Sequence, residues 1–189
     1  MSSAKAGGRR LVKVRLARLA VQYGEMSTLP WDEVKNFFDP DLMGALPDVH
    51  VSGTSIEDWR AIVDLVVESN WRWQYSEGGA VVPMPPLEEV FFRPADAAAV
   101  DLRVWPDPSV LTIFRPYAAE EIDFDIDLRE LQGQHGVDIL CGFLSTIGRR
   151  LGKRVVMTPE GDYGHPILGF DPSADRVVLL ADPDTERLR

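Results

Sequence analysis

An α+β domain with a mainly antiparallel sheet is the fold class that this sequence predicts, and three observations carry the prediction. Short apolar runs come in pairs joined by turn-forming residues, as hairpins do. Two longer segments repeat apolar residues at three- and four-residue spacing, as helices do. One acidic segment alternates strictly, as a half-buried strand does. Hairpins with helices between them favour antiparallel pairing over a regular βαβ succession.

The elements follow in chain order. In STLPWDEVKNFF, Pro30 opens a helix with Asp32 and Glu33 in its first turn and Val34, Phe37 and Phe38 on its apolar side. DPDLMGALPD reads as loop. Thr54, with Glu57 three residues on as capping-box partner, starts a helix over 55–69 whose stripe is Trp59, Ile62, Val63 and Val66. WRWQY and AVVPM flank the turn tetrapeptide SEGG and predict a hairpin. PPLEEVFF is a short helix behind its prolines, and LRVW and VLTIF form a second hairpin around PDPS. The acidic strand EEIDFDIDLRE comes next. Val137, Leu140, Cys141, Leu144, Ile147 and Leu151 predict a helix over 136–151 that Gly152 ends. RVVMT, PILGF and RVVLLA close the chain as strands.

Composition narrows the classes. The chain has 189 residues and is 45% apolar, enough for one sizeable core. Residues 27–189 are expected to form a single domain, behind a basic extension over 1–26. The first 24 residues hold six positive charges and no acid. The remaining 14 basic residues face 30 acids, a net of −16. So acidic a domain is expected to repel nucleic acid and anionic lipid and to attract a basic protein partner. The extension itself reads as a flexible tail, or as sequence upstream of a start at Met26. No apolar run is long enough for a membrane-spanning helix, and MSSAKAGGRR lacks the features of a secretory signal. A cytoplasmic location is the expectation. With Cys141 the sole cysteine, neither an internal disulfide nor a cysteine zinc cluster can form, and its phase on the helix makes it a core residue.

The acidic strand is the first candidate site. Glu121, Asp123, Asp125 and Asp127 occupy one face, opposite Ile122, Phe124, Ile126 and Leu128. The aspartate spacing resembles a calcium loop only superficially, since Leu128 stands at the sixth position and Gln134 at the twelfth. No metal or cofactor is therefore expected. Alternate residues on an open strand share one solvated environment, which suits paired acid/base catalysis poorly. Four like charges about 7 Å apart repel one another, and no lysine in the stretch relieves them. The row is either an ordinary solvated face or a surface for a partner's Lys and Arg.

Trp71, Trp73 and Tyr75 alternate along their strand and are either core or interface anchors. The loop TPEGDYGHP gathers Glu160, Asp162, Tyr163 and His165, so Glu160, Asp162 and His165 are the candidates for hydrolytic or metal-dependent chemistry. Turn formation is the plainer account of that loop. No phosphate-binding loop or catalytic signature occurs.

Two stretches, LPDVHVSGTSIEDWRAIVDLVVESNWRWQYSEGG (46–79) and DILCGFLSTIGRRLGKRVVMTPEGDYGHPILGFDPSADRVVLLAD (138–182), resemble small acidic proteins of actinobacteria without characterised activity. In size, acidity and lack of catalytic motifs the chain also resembles the immunity proteins of bacterial polymorphic toxin systems. That resemblance implies an inhibitor that occludes a basic, nucleic-acid-acting toxin, and it carries over no individual residue. The expected contact residues are the four acids with Trp71, Trp73 and Tyr75.

Overall fold

The computed structural model describes residues 29–181. The basic extension and Met26 lie outside the described residues. Among the described residues nine strands are formed: β1 Asp48–Ser52, β2 Arg72–Glu77, β3 Ala80–Val81, β4 Val100–Asp107, β5 Val110–Phe114, β6 Glu121–Ile126, β7 Val155–Thr158, β8 Leu168–Asp171 and β9 Arg176–Leu179. They make one sheet in the order β3-β2-β4-β5-β6-β1-β7-β8-β9, antiparallel at every pairing. The helices are α1 Trp31–Val34, α2 Pro40–Met43, α3 Ile56–Glu68, α4 Leu87–Phe91 and α5 Gly133–Leu151. This is the α+β class with an antiparallel sheet that the sequence predicts. None of the described helices is long and apolar enough to cross a membrane.

The two long helices share one face of the sheet. Phe143 of α5 meets Phe114 of β5 and Phe124 of β6 at ring-centroid distances of 6.3 and 5.7 Å, and Trp59 of α3 meets Phe114 at 6.5 Å. Val49 and Val51 of β1, Ile122 of β6 and Met157 of β7 are fully buried on that side. Strand alternation then sends the intervening residues to the opposite face, which neither long helix covers. Helix α5 sits close to the sheet because Gly148 has no side chain: a Cβ there would stand 2.0 Å from the Phe170 ring of β8.

Several local expectations are adjusted. The cap of α3 is Ser55 with Asp58, each accepting the other's backbone N–H, one residue along from the expected Thr54 and Glu57. Thr54 instead donates its hydroxyl to the Ala119 carbonyl. The β2–β3 hairpin turns on Gly78 and Gly79, both at positive φ, the backbone that such a two-residue turn requires. The largest difference is β1. DVHVS was not expected as a strand, yet it lies between β6 and β7 in the middle of the sheet. The expected loop DPDLMGALPD also contains α2, which Asp39 caps by accepting the Asp41 N–H.

Candidate functional site

The acidic residues of β6 do not share one environment. Glu121 is exposed, Asp123 is partly buried and Asp125 is buried, with 8% of its surface accessible. This corrects the expectation of a uniformly solvated row. The cause lies in neighbours remote in sequence. β1 pairs with β6 so that Asp48 stands opposite Asp125, His50 opposite Asp123 and Ser52 opposite Glu121. Arg115, just after β5, donates to Asp125 Oδ2 through Nε at 3.0 Å and also through Nη2, and its Nη1 lies 3.4 Å from Asp101 of β4. Asp127 falls beyond the strand. Its carboxylate caps the short turn 128–130 by accepting the Arg129 N–H, and it pairs with the Arg129 guanidinium. Arginines thus relieve two of the four charges that the sequence leaves unrelieved.

The loop between β7 and β8 folds over the same face. The Gly161 N–H donates to Asp48 Oδ2 at 2.7 Å. Tyr163 sets its ring 5.5 Å from that of His50, and its hydroxyl oxygen stands 3.5 Å from both Asp48 Oδ1 and Asp123 Oδ2. The acidic strand and the loop, two separate candidates in the sequence, therefore meet, through Tyr163 of the loop's cluster and not through Glu160, Asp162 or His165. Glu160 turns to the 44–46 segment and accepts the Leu46 N–H at 3.1 Å. Asp162 and His165 pair with each other at 2.8 Å on the exposed side. Glu160, Asp162 and His165 do not converge on a common point as a catalytic set. The side chains that do meet are Asp48, Asp123 and Tyr163, with the His50 ring packed against that of Tyr163. Sequence reasoning missed Asp48 because it lay outside any expected strand, and the alternation D-V-H-V-S was its one signal.

The aromatics are likewise redistributed. Trp71 is 8% exposed and stacks edge-on against Phe143 at 5.2 Å, and Tyr75 is 1% exposed beside Val90 and Val100. Both are core residues and can offer nothing to a partner in this fold. Trp73 alone reaches solvent, at 37%. Its register with Val104 places it on the helix-bearing side, opposite the acids. The expectation that acids and these aromatics form one contact surface is corrected accordingly. Aromatics on the acid-bearing face include Trp105, with the Arg72 guanidinium 3.7 Å from its ring centre, and Tyr163.

Electrostatics concentrate on Asp123. Burial, then the carboxylates of Asp48, Asp125 and Glu121, push its carboxyl from 3.8 to about 6, with Arg115 opposing. Burial also holds Asp125 above the ordinary carboxylate range, and the Arg115 guanidinium offsets part of the rise. Burial lowers the His50 imidazole against the pull of Glu121 and Asp48. Burial, followed by Asp123 and Asp48, pushes the Tyr163 phenol up to about 12. His50 Nδ1, Asp123 Oδ1 and Thr158 Oγ1 are enclosed with no hydrogen-bond partner. Among the described residues, no three His, Cys, Asp or Glu side chains group so as to hold a metal ion.

Asp123 should therefore oppose folding at neutral pH. Its folded-state value lies above the unfolded one, so the stability present when it is protonated, below about pH 4, is lost as pH rises through about 6. Fully realised, the shift corresponds to about 3 kcal/mol, and solvent reaching this partly buried group reduces it to about 1–2 kcal/mol. Asp123→Asn is expected to raise the unfolding free energy by that amount at pH 7.5 and by nearly nothing at pH 4, as read by urea titration. An equal effect at both pH values would contradict this electrostatic account.

No protein-family model, curated protein or solved structure matches the chain. The fold and the face together define an antiparallel α+β protein with a carboxylate cluster on the side of its sheet that the long helices leave uncovered.

Proposed function

We propose that the chain is a protein-binding inhibitor of the immunity type, which neutralises a basic, nucleic-acid-acting toxin by covering its active site. The observation that carries this reading is the state of Asp123: a partly buried carboxylate among three others, with one oxygen enclosed and unpaired. Such a group adds nothing to folding at neutral pH, and a cation brought by a partner would stabilise its charged form. The domain charge acts in the same direction, since 30 acids against 14 basic residues beyond position 24 attract a basic surface and speed encounter. The contact set is Asp48, Glu121 and Asp123, with Tyr163 beside them. Asp125 and Asp127 are already held by arginines. The enzymatic alternative through Glu160, Asp162 and His165 gains no geometric support, because these side chains are engaged separately.

The test is co-expression with the product of the adjacent gene, scoring toxicity of that product alone, its rescue and its co-purification. Replacing Asp48, Glu121 and Asp123 together by their amides is expected to weaken the complex at least about tenfold and to flatten its salt dependence. Unchanged affinity and salt dependence would exclude this face as the docking surface.

A further inference from the structure

The cluster is rich in acceptors and poor in donors, and this imbalance says what it would take. Asp48 and Asp123 reach one phenol oxygen at 3.5 Å each, the outer limit of hydrogen bonding, so Tyr163 satisfies neither well. Thr158 stands opposite Asp48 in register, on the same face, and is completely buried with its hydroxyl oxygen unpartnered. His50 Nδ1 and Asp123 Oδ1 are enclosed and unpartnered beside it. A buried polar atom without a partner is costly, and here Asp123 Oδ1 can only accept, the Thr158 hydroxyl can accept as well as donate, and His50 Nδ1 accepts when its proton sits on Nε2, so the three together mark a place that can take a donor-rich group.

We infer that this notch between β1, β6 and the 159–166 loop receives the guanidinium of a partner's arginine, with Tyr163 as the group that gives way to it. The inference rests on the docking reading above and specifies its chemistry. A guanidinium presents five N–H donors in a plane and spans two carboxylates, as the separate positions of Asp48 and Asp123 require. A lysine ammonium is a compact, strongly hydrated charge and matches spread acceptors less well. A metal ion is disfavoured by the lack of three converging ligands among the described residues. The Tyr163 ring is half exposed, so it can move outward without uncovering the core. Its loop is attached to the notch by the Gly161 N–H bond to Asp48 and the two long phenol contacts, so the phenol can swing away while the glycine anchor stays.

The experiment uses the full chain and two capped peptides of equal charge, tri-arginine and tri-lysine, at matched ionic strength. Binding is followed by the side-chain NMR signals of His50 and Tyr163. The arginine peptide is expected to bind about tenfold more tightly, to shift both signals, and to lose that preference in Asp48→Asn and in Asp123→Asn. Asp123→Asn is expected to be the more stable protein at neutral pH, so a loss there cannot be unfolding. Tyr163→Ala should bind the arginine peptide as tightly as the parent or more so. Equal binding of the two peptides, or an arginine preference indifferent to Asp48 and Asp123, would overturn the inference. If the cognate partner still depends on Glu121 and Asp123 while both peptides bind alike, the notch falls and the docking face stands. If the arginine preference maps to the notch but no toxin is neutralised, the notch stands and the immunity reading falls.

Discussion

Phe143→Ala is expected to cost about 3–5 kcal/mol of unfolding free energy, the range for emptying a large aromatic site in a core. Phe143 is fully buried on α5 and touches Trp71, Phe114 and Phe124, which come from the residue just before β2, from β5 and from β6. Three walls, two on neighbouring strands and one on the segment leading into a third, cannot collapse together into the space, so the cavity term adds to the transfer term. The measurement is the denaturant midpoint at constant slope, and a loss below about 1 kcal/mol would refute this picture of the core. Phe124 belongs to the acid-bearing strand β6, so a binding assay on this variant must be run well below its unfolding transition.

Arg115→Met is expected to cost about 2–3 kcal/mol at pH 7.5, because it leaves Asp125 buried and without its counter-charge. The figure is below the usual range for a fully buried pair because the Arg115 side chain keeps 30% of its surface exposed. Asp125 already titrates above its ordinary range, so removing the guanidinium raises it further. Protonation removes the unpaired charge, and the deficit should therefore shrink as pH falls to about 4. The double variant Arg115→Met with Asp125→Asn should recover most of the loss, and a loss that is additive across the pair would show that the ion pair is not its source. Unlike Asp123→Asn, which is expected to stabilise, this change damages the same face, so the two variants bracket the electrostatic account.

Much of the architecture was legible along the chain. The stripes of α3 and α5, both hairpins with their turn residues, and the alternation of β6 each follow from a period that one segment displays by itself. β1 was not legible, because five residues holding an Asp, a His and a Ser carry a weak apolar signal. Two neighbouring strands make it a strand: β6 and β7 take up its backbone groups, and its two valines complete the core. The candidate site was half legible. Glu121, Asp123 and Asp125 were placed on one face correctly by alternation, whereas their partners Asp48 and Arg115 and their cover Tyr163 are separated from them in sequence or by a turn.

The sequence by itself determined the class of fold, the face of β6 on which the acids stand, and the strong negative charge of the chain beyond its first residues. These depend on side-chain period and on composition, which are local or additive. Only the tertiary structure decided that Trp71 and Tyr75 are core, that Asp125 is held by Arg115, and that Asp123 is crowded, desolvated and incompletely paired. Burial and charge pairing are properties of the space around a group, and that space is assembled from strands that meet only when the sheet closes.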